Sequence, residues 1–426
     1  HSHNDDTIYE YVNTTLTRMA WGGIFDHVGG GFSRYAVDTK WHVPHFEKML
    51  YDNGLLISLY SNAYAATNKQ LYKSTVEKTI SFLEEELLDK SNGFYSSLDA
   101  DSLTKNGKLV EGAYYVWQKE ELIRILKDDF EIFEEYFNIN SYGLWEEDNY
   151  VLIRDGKALN IAMKHSITKK ELKQIITQCL ILLKKERKKR NKPRLDDKIL
   201  TAWNGLVLKG LTHAYRYLEN PHYLDLALRN AQFIIEKMSA EDGGLYRNFK
   251  NGESTIKGFL EDYASVIEAF IGLYEVSYDD KWLNHSLRLT KYVIDHFTDS
   301  ETGLFYFTSS KEDGLIRRTL EIADNVIPSS NSIMAHNLHK LSKYFPEDNL
   351  DIRLNKIMTS MKSTITENPQ NNSNWLHLAQ LMGQKFFEMV AIGENFEPIC
   401  KTLMKNYLPN VIFAASNAKN SNLPLL

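Results

Sequence analysis

A glycine followed closely by an aromatic side chain marks three separate turns of this chain, Gly93-Phe94, Gly244-Leu245-Tyr246 and Gly303-Leu304-Phe305. Each turn lies between stretches whose apolar residues recur at helical spacing. That alternation constrains the fold more than any other feature. A weak repeat of roughly 50–70 residues, without strict period, argues for helical hairpins joined by small β-hairpins and against a solenoid. Helices are expected over residues 5–20, 46–66, 71–88, 118–137, 168–190, 198–218, 222–238, 260–274, 281–297, 329–343, 348–365 and 374–382. These make about six pairs, as a mainly α (α/α)6 toroid requires. Residues 142–160 fit no regular element. The end of the chain leaves the rhythm, with strands at 386–392 and 410–415 flanking a helix near 396–406, a βαβ signature. The expected organisation is a toroid domain over residues 1–383 and a small appendage over 384–426.

The densest chemistry lies between Gly22 and Asn53, GGIFDHVGGGFSRYAVDTKWHVPHFEKMLYDN, which holds three of the thirteen histidines. Gly29, Gly30 and Gly31 permit a tight reversal. Phe32, Tyr35 and Val37 fit one side of a short hairpin, and Pro44 suits the first turn of a helix. Counting from His45, residues three, four and seven positions on are Lys48, Met49 and Asp52. A helix would place them on one face, so an imidazole, an ammonium and a carboxylate would share a patch.

This block resembles the thioredoxin-domain-containing proteins related to spermatogenesis-associated protein 20. Five further segments match that family in order, NGFYSSLDADS, EGAYYVW, RLDDKILTAWNGL, GFLEDYA and IPSSNSIMAHNL. The resemblance covers most of the chain and implies a toroid similar to six-hairpin glycosidases and N-acylglucosamine 2-epimerases. It also implies a thioredoxin-like domain as partner in the full-length proteins, outside this sequence.

Composition narrows the function classes. A net charge of −6 argues against a general nucleic-acid binder. Cys179 and Cys400 are the two cysteines and form no CxxC, so dithiol exchange, disulfide scaffolding and zinc-finger chemistry are not expected. No apolar run reaches the roughly 18 residues that span a bilayer, so no membrane partner is expected. A cytoplasmic location follows as the expectation. The basic run 184–194, KKERKKRNKPR, reads as a solvated helix end.

Polar residues recur at the start of the helix after each turn: His45, Glu47 and Asp52, then Asp196, Asp197 and Asn204, then Glu261, Asp262 and Tyr263, then Asp324, Ser330 and Asn331. If those helices line one cavity, the motifs converge on a pocket for a small-molecule ligand, a sugar by the resemblance. His45, Asp52, Asp197, Glu261, Asp262 and Asp324 are the candidate acid–base groups. Arg34, Tyr35, Trp41, His42, Glu47, Trp203, Asn204, Tyr263 and Asn331 are the candidate ligand contacts. Two carboxyls roughly 6.5–9.5 Å apart would hydrolyse a glycosidic bond with inversion, whereas an imidazole would shuttle a proton beside a sugar carbonyl. Asp197, Thr201 and Asn204 would form one ligand-binding face at helical spacing. The plain alternative for each helix-start acid is capping of free N–H groups, and for His42 a core histidine on backbone carbonyls. HxxHxE is no recognised zinc pattern, and neither metal nor cofactor is expected. Two function classes stand: a sugar hydrolase or epimerase-isomerase, and a noncatalytic ligand- or client-binding scaffold for the thioredoxin-like domain.

Overall fold

The computed structural model describes residues 6–312, 317–417 and 424–425. Residue 5, where the first helix was expected to begin, lies outside them, and that helix runs Asp6–Trp21. The chain divides into two compact units. One holds His1–Asn53, Lys69–Leu88 and Tyr95–Asp197, the other Gly54–Asn68, Asp89–Phe94 and Lys198–Leu426.

In the first unit, helices Lys119–Leu126, Phe130–Phe137 and Lys169–Arg187 bury Leu122, Leu126, Phe133, Phe137, Leu172, Ile176 and Leu183 in one apolar cluster with Trp117. Thr168 starts the long helix with a capping box, its side chain accepting from Glu171 N while the Glu171 carboxylate accepts from Thr168 N. Short antiparallel pairings replace any central sheet. Lys48–Met49, Ser97–Leu98 and Leu195–Asp196 form one three-stranded ladder, and Tyr35–Ala36 pairs with Pro44–His45. The stretch 142–160, expected to be irregular, contains the short strand Asn149–Tyr150 and the start of a helix, Ala158–Lys164.

The second unit is built from helix pairs. Thr201–Leu218 packs on Pro221–Lys237, Leu260–Ser277 on Lys281–Phe297, and Ser330–Tyr344 on Leu350–Glu367. The first members of these pairs also pack on one another, with Leu260–Ser277 between the other two. They approach closely where side chains vanish: a Cβ on Gly210 would meet Gly54 O at 2.7 Å, and one on Gly205 would meet the Ser265 carbonyl carbon at 2.8 Å. Asn220 caps the second member of the first pair, with Pro221 at its first position. At the end of the chain, Phe387–Ile392 pairs in parallel with Val411–Ser416 around helix Phe396–Met404. Tyr344 Oη fixes this piece by donating to Phe413 O at 3.0 Å.

One expectation fails at a functionally important place. The helix expected from residue 46 starts at Leu50, and 44–49 is extended. Burial there alternates, with Pro44, Phe46 and Lys48 inward and His45 and Glu47 outward. His45 and Asp52 therefore do not share a helix face. Phe46 sets the register by stacking on Tyr115 at 5.7 Å in an apolar cluster with Ala100, Val116 and Val151.

Candidate functional site

The outward side chains of 44–49 are the start of a charged cluster in the first unit. Asp38 shapes the preceding turn, its carboxylate accepting from the backbone N–H groups of Lys40, His42 and Val43 at 2.6, 3.2 and 2.7 Å. The ladder then sets Tyr35 opposite His45, and their rings stack at 5.1 Å with 21° between planes. Arg34 N donates to Glu47 O, and its guanidinium reaches Glu47 Oε2 at 3.1 Å. Glu111, from the hairpin Asp101–Leu103/Leu109–Glu111, comes to His45 Nδ1 at 2.7 Å. Its Oε1 also accepts from Phe46 N.

That geometry sets the imidazole. A carboxylate only accepts, so Nδ1 carries the proton it gives to Glu111, and in the neutral imidazole Nε2 is the proton acceptor. Nε2 stands 3.7 Å from Glu47 Oε2, outside hydrogen-bond range. Asp52 joins the cluster from the first turn of the helix. Its Oδ2 is buried without a hydrogen-bond partner. Burial pushes its carboxyl up to about 7, with Glu47 adding to the shift and Arg34 opposing it. Side by side stand an oriented base, a carboxyl protonated near neutrality, a guanidinium and an aromatic face. Arg34, Tyr35, His45, Glu47 and Asp52 were anticipated. Glu111 was not, although it opens the EGAYYVW segment, and neither was Tyr51, which hydrogen-bonds Arg34.

Behind this cluster lies a buried ion triad. Arg187 grips Asp26 with two bonds of 2.9 Å, and Lys48 Nζ reaches Asp26 Oδ2 and Gly30 O at 2.8 Å each. Although burial opposes it, Arg187 and Lys48 hold Asp26 well below the usual carboxylate range. Burial in turn brings Lys48 down to about 8, against the pull of Asp26. Most of the basic run is also paired within this unit: Lys184 with Glu85, Lys189 with Glu186, Arg190 with Glu121, Lys192 with Glu86 and Arg194 with Asp99.

Several other candidates serve the backbone. His42 is buried, its Nε2 within 3.1 Å of Gly143 O and 3.2 Å of Val151 O, so it is a core histidine and no ligand contact. Trp41 is a half-buried turn residue at φ +62°. Asn204 is fully buried. Its Oδ1 accepts from Phe94 N at 2.8 Å, and its Nδ2 donates to Phe94 O and Leu200 O at 3.0 and 2.9 Å. Asn331 treats Phe305 the same way, with bonds of 2.8 Å to both N and O. Asn53 does so for Phe32, at 2.7 and 3.1 Å. These asparagines clamp the N–H and C=O of an aromatic residue in a Gly-aromatic turn, so their carboxamides serve the backbone.

Tyr263 is a variant of the clamp, its Oη accepting from Leu245 N at 2.9 Å, and is buried against Tyr292. The proposed ligand face of Asp197, Thr201 and Asn204 does not form. The helix begins at Thr201, whose hydroxyl donates to Tyr246 O, and Asp197 precedes it in an exposed position. Trp203 is half-buried and has contacts of its own.

Two acids of the second unit, Asp262 and Asp324, act as caps. Asp262 is fully buried and accepts from Phe259 N and Ala202 N, and burial pushes it up to about 7 against the opposing charge of Arg247. Glu261 pairs with the same Arg247 at 2.5 Å. Asp324 accepts from Ser329 N, Ser332 Oγ and Asn374 N. Glu261 and Asp262 thus meet through Arg247, while the contacts of Asp324 are with other groups. The capping alternative accounts for Asp262 and Asp324, because each accepts from two backbone N–H groups near a helix start.

Among the described residues no helix is long and apolar enough to cross a membrane, and Cys179 and Cys400 are free and buried.

Human spermatogenesis-associated protein 20 is 31% identical over 443 aligned residues, covering 96% of this chain and 56% of that protein. An uncharacterized Caenorhabditis elegans protein is 33% identical over 359 residues, 78% of this chain and 49% of that protein. The chain thus spans about half the length of the curated relatives it matches. No family model matches it. Among solved structures, cellobiose 2-epimerase from Bacillus thermoamylovorans is similar with a TM-score of 0.50 over 82% of this chain and 72% of that one, at 14% identity. That likeness shows the fold, a mainly helical (α/α)6 toroid with small β-hairpins. By sequence and fold together, the chain is a homologue of spermatogenesis-associated protein 20 built on the (α/α)6 architecture.

Proposed function

We propose that this chain is a carbohydrate-active enzyme that moves a proton at the carbon beside a sugar carbonyl, an epimerase or isomerase. The observation that carries the reading is His45, whose Nδ1 is tied to Glu111 at 2.7 Å so that Nε2 faces out as a base. Arg34 supplies a cation for the oxygen that gains charge as the proton leaves. Asp52, with a carboxyl near 7, supplies a proton to the other side of the intermediate. Tyr35 offers a flat face at the rim for a pyranose.

A second reading, glycoside hydrolysis, draws on the raised Asp52 carboxyl lying near a second carboxyl group, Glu47, the residue types of an acid and its partner. To the proposal also belong the thioredoxin-like partner domain, a cytoplasmic location and the division into a toroid over residues 1–383 and an appendage over 384–426.

The test is incubation of the protein with a panel of aldoses, ketoses and reducing disaccharides in D2O, read by NMR. Epimerisation or isomerisation predicts deuterium at the carbon beside the carbonyl and loss of that signal in His45→Ala. Release of reducing ends from glycosides without deuterium entry supports hydrolysis. A folded protein that does neither across the panel refutes the enzyme and leaves the scaffold reading.

A further inference from the structure

The second unit carries a separate set of charged and imidazole groups that no turn motif announces. They lie along one face of each successive helix: Ser58 and Asn62 on Leu50–Thr67, Lys209, His213 and Arg216 on Thr201–Leu218, Glu268 and Glu275 on Leu260–Ser277, His336 and Lys340 on Ser330–Tyr344, and His377 on Ser373–Met382. The spacings of three, four and seven are those of a single helix stripe.

Contacts link the stripes. Ser58 Oγ lies 2.7 Å from His213 Nδ1, Lys209 pairs with Glu268 at 2.6 Å, and Glu275 holds both Arg216 at 3.3 Å and Lys340 at 3.1 Å. The His336 and His377 rings stand 5.2 Å apart.

We propose that these converging faces form a binding pocket for a small oxyanion, the phosphate or carboxylate of a metabolite, held by Lys209, Arg216, Lys340 and the Nε2–H of His213. Three observations carry this. First, three cations face two carboxylates, so the cluster holds one positive charge in excess while its imidazoles are neutral. Second, the Lys340 side chain is 38% exposed but that of its partner Glu275 only 4%, so the accessible charge is the cation's. Third, Arg216 Nε is buried without a partner, a donor left over after the Glu275 pair is made.

The imidazoles fit the same picture. Asn62 Nδ2, a donor only, lies 3.4 Å from His213 Nδ1, so that nitrogen accepts and Nε2 carries the proton. Burial, then Lys209, Arg216 and Lys340, keep His213 well below its ordinary value. Burial likewise brings His336 to about 4. The proposal is independent of proton transfer at His45, since it concerns binding alone.

Titration calorimetry of the purified chain at low ionic strength tests it, with inorganic phosphate and a hexuronate as separate probes. One saturable site per chain is expected. Lys340→Gln and Lys209→Gln should each weaken it at least tenfold, Lys340→Arg should restore most of the affinity, and the exposed Lys281→Gln should leave it unchanged. Tighter binding of phosphate than hexuronate assigns a phosphorylated ligand, and the reverse order a carboxylated one. No saturable binding of either probe overturns the proposal, as does wild-type affinity in Lys340→Gln or equal competition by chloride at matched ionic strength. Lys340→Gln is the safer variant if Lys209→Gln fails to fold, because Arg216 still pairs with Glu275.

Discussion

Replacing Asn204 by Ala should damage the fold, and the structure sets how much. The carboxamide makes four bonds: it accepts from Phe94 N and Asn230 Nδ2 at 2.8 and 3.0 Å, and donates to Phe94 O and Leu200 O at 3.0 and 2.9 Å. Phe94 is fully buried, so truncation strands its N–H and C=O away from water. A buried orphan costs about 1–3 kcal/mol, so two of them put the loss at about 3–5 kcal/mol once partial relaxation is allowed. Against a typical total stability of about 5–15 kcal/mol, that is a large share. With a urea slope of about 3 kcal/mol/M, the midpoint should fall by about 1–1.7 M. Urea titration followed by tryptophan fluorescence reads it directly, and Asn53→Ala and Asn331→Ala should behave alike because they break the same pair of bonds to Phe32 and Phe305. Midpoints within about 0.2 M of wild type for all three, joined to weakened binding of a sugar, would refute the clamp and restore the ligand-binding reading.

Other outcomes follow from the same geometry. Gly210→Ala gains about 1 kcal/mol of helix propensity but puts a methyl 2.7 Å from Gly54 O. Overpacking costs about 1–3 kcal/mol, so the urea midpoint should drop, and a rise would contradict the close helix approach. Asp26→Asn leaves Lys48 and Arg187 buried beside each other without their carboxylate, and a loss of about 3–5 kcal/mol is expected; a urea midpoint equal to wild type would show the triad is dispensable. Burial raises the Asp52 carboxyl to about 7 in the folded state, above its ordinary 3.8, so the folded state holds the proton more tightly. Its contribution to stability is present below pH 4 and is lost as pH rises to 7, then stays flat. Asp262, also raised to about 7, gives a slope over the same window, so Asp52→Asn should reduce the slope between pH 4 and 7 in a thermal-denaturation series, and an unchanged slope would place the titration elsewhere.

The helix pairs and the Gly-aromatic turns were legible because periodicity and glycine chemistry act locally. The start of the helix at Leu50 was not, because Pro44 and the run to Met49 fit a helix locally but are claimed by strand partners Tyr35–Ala36 and Ser97–Leu98. His45 and Asp52 still meet Arg34 and Glu47 in one cluster, by strand alternation and not by helix spacing. Asn204, Asn331 and Tyr263 looked like ligand contacts because an amide or hydroxyl at a helix start signals polarity but not its target. The targets, Phe94, Phe305 and Leu245, are distant in sequence. Glu111 was hidden for the same reason, 66 residues from His45. Lys209, Glu268 and Lys340 sit in mid-helix, where a charged residue ordinarily reads as a solvated face.

The clamp also bears on how such a chain tolerates insertion. Its partners are 21 residues apart at Phe32 and Asn53, 26 at Phe305 and Asn331, and 110 at Phe94 and Asn204. Two backbone bonds fix the turn to the helix whatever is threaded between them, and loop-closure cost grows only with the logarithm of length. The interval between aromatic and asparagine is therefore a slot. Into one such slot this chain has placed residues 95–203, most of them belonging to its other compact unit. Grafts of new segments should be accepted between Phe305 and Asn331 and rejected inside the helix Ser330–Tyr344.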